Sequence, residues 1–364
     1  MASRGKALAV AGISPFAYVS NPARVLFGSG RVREVAVELE RLGCRRAFVV
    51  CTADQKDIAL RVASDCAAQA VFAEATMHTP LGVTETALSQ LRAAECDGLV
   101  AVGGGSTIGL GKALALRTDL PQIAVPTTYA GSEMTPILGE TNEGRKKTLR
   151  SPKVLPEVVI YDVDLTISLP PGLSAVSGVN AIAHAVEALY APDTNPIVSL
   201  MAEEGISALT RALPRIVAVP SEVSAREAAQ YGAWLSGICL GSVAMGLHHK
   251  ICHVLGGSFD LRHAETHAVM LPHVVAYNSA AALAAMKRVG HALRQPNAAA
   301  GLFALNRTLG NPLSLSELGM PHEGIARAVE QVMKDQYSNP RPLEAAALQS
   351  MLARAWSGEA PRAE

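Results

Sequence analysis

The chain carries no surplus of either charge: 32 Lys and Arg face 32 Asp and Glu in 364 residues. No overall field therefore draws it to nucleic acid or to an anionic membrane, and the implied partner is a small molecule. It has no CxxC pair among its six cysteines, Cys44, Cys51, Cys66, Cys96, Cys239 and Cys252. Several of these lie in apolar runs, where a thiol behaves as a small hydrophobe, so reduced thiols and a cytoplasmic setting are expected rather than disulfides. No apolar stretch is long enough to span a bilayer. The opening LAVAGIS is far too short and lacks a following small-residue cleavage pattern, so neither membrane insertion nor export is expected.

The length exceeds the usual single core, which favours two domains. Up to about Thr166, short apolar runs (RAFVV, AVFAE, DGLVAVGGG, IAVPTT, VVIYD) alternate with amphipathic segments, two of them helices through Asp57 to Ala68 and Thr84 to Ala94. That alternation predicts an α/β N-terminal domain with a parallel sheet covered by helices. After Pro170 and Pro171 come long Ala- and Leu-rich runs with few β-branched residues, so the second half reads as an all-helical C-terminal domain. The boundary falls at the double proline, giving a nucleotide-binding domain over 1–168 and a helical catalytic domain over 169–364.

In DGLVAVGGGSTIGLGK, Gly103, Gly104 and Gly105 follow a strand directly and precede a helix beginning near Ser106. Amides at a helix start hold a pyrophosphate, and glycine lets the ligand approach closely. The spacing is neither GxGxxG nor GxxxxGK[ST], so those fingerprints do not apply as written, and a structural turn stays open. In PTTYAGSEMT, Thr127, Thr128 and Ser132 follow another strand with hydroxyls and free amides. The two loops together suggest one nucleotide cleft at the carboxyl ends of parallel strands.

The densest chemistry is LHHKICHVLGGSFDLRHAETHAVMLPH, Leu247 to His273, read with SGVNAIAHAVEALY, which sets Asn180 and His184 one helical turn apart. His249 and His253 lie four apart, as do His263 and His267, so each pair shares a face if helical. His184, His249 and His263 could supply three imidazoles to a metal. The anionic ligand expected of a helical Asp-x-x-x-His pair is missing, because Asn180 offers only an amide oxygen. Without a metal the histidines would serve as hydrogen-bond donors and proton carriers. His78, His291 and His322 read as ordinary core or surface residues.

The GGGS loop, the PTT…GSE segment, the x-x-x-His helix and the paired histidines resemble the iron-containing alcohol dehydrogenase family. The long histidine string, MHTP at Met77 to Pro80 and NPRPLE at Asn339 to Glu344 resemble its maleylacetate-reducing members. The resemblance implies the dehydroquinate synthase-like fold, with substrate between an α/β nucleotide domain and a helical domain, and a homodimer. By position, Gly103, Gly104, Gly105 and Ser106 would bind the cofactor pyrophosphate, and Thr127, Thr128 and Ser132 would line its cleft. His184, His249 and His263 fall on metal-ligand positions, and His253 on an extra active-site histidine. Asn180 stands where metal-using relatives carry aspartate, which argues for catalysis with no metal. Two further departures are Gly109, where many relatives carry an acidic residue, and Arg262, where proline is expected.

The resemblance implies reduction of the carbon–carbon double bond of maleylacetate to 3-oxoadipate. His253, His249, His184 and Asn180 would be catalytic, charge on the ketone oxygen meeting donors already aimed at it. His248, His263 and His267 join the substrate side, and Lys250, Lys146, Lys147 and Arg341 are the candidate cations for two carboxylates. Thr52, at the end of the second strand, permits either cofactor, with Asp54 two positions on; NADH is expected and NADPH tolerated. Three alternatives remain: a metal-dependent alcohol or aldehyde oxidoreductase, a nucleotide-binding protein without catalysis, and a dehydroquinate synthase-like lyase.

Overall fold

In this computed structural model, which describes residues 16–21, 23–142, 145–334 and 337–363, the chain runs from a parallel sheet into a stack of helices. The segment LAVAGIS lies outside the described residues. Strands β1 (Arg24–Phe27), β2 (Ala47–Val50), β3 (Ala70–Phe72), β4 (Gly98–Gly103), β5 (Gln122–Pro126) and β8 (Val158–Tyr161) form one sheet. Their order is β1-β8-β5-β4-β2-β3, every pair parallel.

β2, β4, β5 and β8 are buried at every residue. They read as unbroken apolar runs because both faces are covered. Phe48, Val50, Leu99 and Ala101 enter one hydrophobic cluster, and Val49, Val100 and Val102 enter another on the opposite face, as the two-residue period of a strand requires. Helices α1 (Val35–Arg41), α2 (Lys56–Asp65), α3 (Leu81–Ala93) and α4 (Gly105–Thr118) supply the cover. β2 is succeeded on one side by β3 and on the other by β4, so the winding reverses there. A cleft at the carboxyl ends of the strands follows from that reversal.

The sequence reading passed over α1, β1 and a hairpin. β1 is a four-residue edge strand ahead of the first alternating segment. β6 (Ile137–Asn142) and β7 (Arg145–Arg150) form an antiparallel hairpin outside the main sheet.

From Pro171 the described chain is helical: α5 (Pro171–Tyr190), α6 (Pro196–Ala218), α7 (Val223–Ser242), α8 (Leu247–Phe259), α9 (His263–Asn278), α10 (Leu283–Leu293), α11 (Ala298–Leu309), α12 (Gly324–Lys334) and α13 (Ala345–Ser357). α5 starts with proline in its first turn, where the missing N–H costs nothing. It is apolar nearly all round, as a helix at the centre of a bundle must be; Val179, Ala181, Ile182 and Ala183 are all within 1% of full burial. It packs on α6, α7 and α9. No single helix among the described residues is long and apolar enough to cross a membrane.

Candidate active site

A cleft of about 680 Å³ lies between the strand ends and the helices α5, α8 and α9. Its nucleotide-side wall is built largely from backbone. Gly103 ends β4 with φ +156°, and a Cβ there would sit 2.4 Å from Thr107 Oγ1, so only glycine fits. Gly104 precedes α4, and Gly105 and Ser106 open it toward the cleft. Thr128 and Ser132 join them on the wall, while Thr127 stands behind, its N–H donating to the Gly103 carbonyl at 3.1 Å. An unpaired helix start facing a cleft favours a phosphate. Thr52 is placed at the end of β2, half-buried and not among the residues that line this space.

The same wall explains Gly109. A Cβ at Gly109 would lie 2.4 Å from the Thr79 hydroxyl. His78 and Thr79 both hold left-handed backbone, at φ 67° and 47°, a costly conformation for side chains other than glycine. The turn is held by Thr141 N–H donating to the Thr79 carbonyl at 3.2 Å. His78, read from the sequence as an ordinary core or surface residue, lines the cleft together with Thr79. Behind them Lys112 is fully buried, its ammonium donating to the carbonyls of Ser132, Thr135 and Ile137 and to Thr135 Oγ1. Burial pushes this lysine down to about 7, with the buried Glu133 carboxyl opposing.

The helical wall carries the side chains. Asn180 and His184 project from α5, His249 and His253 from α8, and His263 begins α9; all five line the cleft. The His184 and His249 rings stack at 5.1 Å, His253 stacks on His263 at 6.4 Å, and His263 meets His267 edge-on at 4.4 Å. Asn180 Oδ1, His184 Nδ1 and His249 Nε2 are buried without a hydrogen-bond partner. Burial, with the neighbouring imidazoles of His249, His263 and His248, pushes His184 well below its ordinary pKa, so it is neutral.

Glu187, one turn past His184, was not singled out by the sequence reading. It is fully buried and its Oε2 accepts from His249 Nδ1 at 2.6 Å. It also accepts from the backbone N–H groups of Gly246 at 3.0 Å and His248 at 2.8 Å, and from the Tyr190 hydroxyl at 3.3 Å. Burial alone would raise its pKa, yet the His249 hydrogen bond and the nearby imidazoles hold it down at about 2. The signal was present as the spacing 180, 184, 187, which is one helical face.

Several expected substrate residues lie elsewhere. His248 and His267 are fully buried behind the wall, their Nε2 and Nδ1 sharing a hydrogen bond at 2.9 Å, with Cys252 Sγ 3.8 Å from His248. Adjacent positions on a helix point about 100° apart, so His249 faces the cleft and His248 faces the core. Lys250 is buried, with its ammonium 5.2 Å from the Tyr337 ring centre. Arg341 stacks on Tyr277 at 4.2 Å and donates to its carbonyl. Neither lines the cleft. Lys147 is exposed on β7, and the side chain of Lys146 lies outside the described residues. Among the described residues, the cations that line the space are Lys112, Arg150 and Arg262.

Comparison with known proteins agrees along the chain. Residues 22–163 match the profile described as iron-containing alcohol dehydrogenase, and 174–356 match that of the C-terminal part of the Fe-containing alcohol dehydrogenase family. Maleylacetate reductase of Rhizobium sp. (strain MTP-10005) is 51% identical over 96% of this chain and 100% of its own, and that of Burkholderia cepacia is 49% identical over the same shares. The crystal structure of maleylacetate reductase from Agrobacterium tumefaciens superposes with a TM-score of 0.93 at 51% identity, covering 96% and 100% of the two chains. A 1,3-propanediol oxidoreductase superposes at 0.89 with 28% identity, over 94% and 100%.

The profile's description implies iron. At the positions where metal-using relatives hold the ion, Asn180, His184, His249 and His263 offer an amide oxygen and three imidazoles, with no carboxylate among them to offset a divalent charge. The Glu187 carboxylate is turned to the far nitrogen of His249. A close triple of possible ligand atoms, within 4.8 Å of one another, is formed by His248, Cys252 and His267 instead, behind the wall. The cleft-facing set would hold a divalent ion less firmly than one that includes a carboxylate.

Proposed function

Because the chain belongs to the iron-containing alcohol dehydrogenase family, we propose that it reduces the carbon–carbon double bond of maleylacetate to 3-oxoadipate with hydride from a reduced nicotinamide dinucleotide. Relatives named maleylacetate reductase, half identical over nearly the whole chain, support the reaction. The observation that carries it is the convergence of Asn180 Oδ1, His184 Nδ1 and His249 Nε2, buried and unpartnered, on a cleft whose other wall is a phosphate-holding helix start.

Hydride adds to the alkene carbon farther from the ketone. The π pair moves toward the carbonyl, whose oxygen takes enolate charge, and a proton delivered to the neighbouring carbon restores the ketone. Per turnover, NADH, one proton and maleylacetate give NAD⁺ and 3-oxoadipate. The enolate oxygen sits best among donors fixed in advance. His249 Nδ1–H is committed to Glu187, so its Nε2 offers a lone pair when neutral and donates only as imidazolium beside that carboxylate. His253, on the cleft-facing side of α8, is the proton donor in this reading. Conjugation spreads the negative charge, and no step calls for a metal.

NADH is the preferred cofactor and NADPH is accepted: Thr52, two residues past β2, is not itself a carboxylate that would repel a 2′-phosphate. The nucleotide domain spans 1–168 and the catalytic domain 169–364, the protein works as a cytoplasmic homodimer, and sedimentation reads the last. The central experiment follows NADH oxidation by chelator-treated protein given fresh maleylacetate, with metal assayed on the same sample. Turnover without metal is expected. Activity that returns only with iron or zinc would overturn the metal-free half of the reading, making Asn180 a working ligand, and leave the substrate standing.

A further inference from the structure

We propose that Arg262 is a specificity residue that holds one carboxylate of the substrate, and that Glu265 competes with the substrate for it. The proposal rests on the dicarboxylate reading above.

A dianion entering a wall lined with imidazoles needs a cation. Of the three described cations lining the cleft, Lys112 is committed to four oxygens of its own domain, and Arg150 donates to the Gly241 carbonyl. Arg262 differs in place and in partner. It is the residue before His263, at the start of α9, and its carbonyl is pinned by the N–H of Thr266 at 3.0 Å and the Thr266 hydroxyl at 2.7 Å. The root of the side chain is thereby fixed beside the His253–His263 pair, and the long stem can carry the guanidinium to a ligand held there. Its Nη1 pairs with Glu265 Oε1 at 3.0 Å, with the Arg262 side chain 65% exposed and that of Glu265 10%. Both line the cleft. A planar guanidinium takes a carboxylate in two parallel hydrogen bonds, so a substrate carboxylate and Glu265 claim the same donors. With its guanidinium largely in solvent, Arg262 can exchange this partner for a ligand carboxylate.

The pairing gives opposite signs for its two members. Arg262 has φ −61° and ψ 126°, the backbone a proline ring imposes, so Arg262→Pro removes the guanidinium without moving α9. Arg262→Pro and Arg262→Ala should raise KM for maleylacetate about tenfold, with KM for NADH unchanged and kcat within about threefold. Glu265→Gln should lower KM for maleylacetate by about threefold, and the double variant Arg262→Pro/Glu265→Gln should lose that gain. An unchanged KM in both Arg262 variants, an effect confined to NADH, or a raised KM in Glu265→Gln would overturn the clamp. Failure of the wild-type protein to turn over maleylacetate would sink the functional reading itself, which separates the two.

Discussion

Glu187 shows how one side chain sets the chemistry of a neighbour it does not share with the ligand. A carboxylate cannot donate, so its 2.6 Å contact fixes the proton of His249 on Nδ1 and turns Nε2 to the cleft. Glu187 is a positioning residue in this sense. Glu187→Gln keeps the shape but lets the amide offer either its oxygen or its N–H to the ring, which releases the tautomer. Turnover should fall about ten- to hundredfold with KM for NADH unchanged. Steady-state kinetics decide it; an equal loss in both would mean that Glu187 only supports the fold. The pair was illegible in the sequence because Glu187 and His249 are 62 positions apart, and only the hydrogen bonds from the start of α8 to the carboxylate join them.

At the scale of elements, α4 and the turn before α3 form an interlocked pair. The Thr79 hydroxyl occupies the room a side chain at Gly109 would need, so the departure at Gly109 and the strained His78–Thr79 turn are one feature seen from two sides. Gly109→Ala should push that turn away from the cleft and raise KM for NADH, and Thr79→Gly in the same chain should restore it. Titrating NADH by fluorescence would check this, and additive losses in the double variant would contradict the interlock. Such a contact is invisible to pattern reading, since 79 and 109 sit on different elements. What pattern reading did find rests on local periods: the buried runs of β2, β4, β5 and β8, the glycine turn after β4, and the double proline before α5. The β6–β7 hairpin escaped because its ILGETN and RKKTLR carry charge and glycine in place of an apolar run. The histidine string was legible as a cluster, while the split of its members between cleft and core came from helix rotation.

Across the whole molecule, buried neutral histidines make stability depend on acid. Burial pushes His248 down to about 3, and burial with the nearby Arg354 pushes His273 to about 4. His184 and His267 are held well below their ordinary value, chiefly by burial. Below about pH 6.5 the unfolded chain takes up these protons and the folded chain does not, so unfolding gains as pH falls. Each such histidine should remove about 1.4 kcal/mol of stability per pH unit between about 6.5 and its own folded pKa. Glu187 adds to this below about 4.5, where the unfolded chain protonates first. Denaturant midpoints from pH 7 to pH 5 should fall steeply in the wild type, and less steeply in His273→Gln. A flat profile would contradict the burial of these rings as neutral groups.

The two walls of the cleft also differ in what they are made of. The wall that receives the reductant is mostly main-chain amide and glycine, which few substitutions can alter without breaking the sheet. The opposite wall is side chains on three helices, and there a single codon can change which oxygen is polarised, whether a cation is welcome, or which acid is held. A single substitution should therefore change the choice of what receives the hydride more readily than it disturbs the supply.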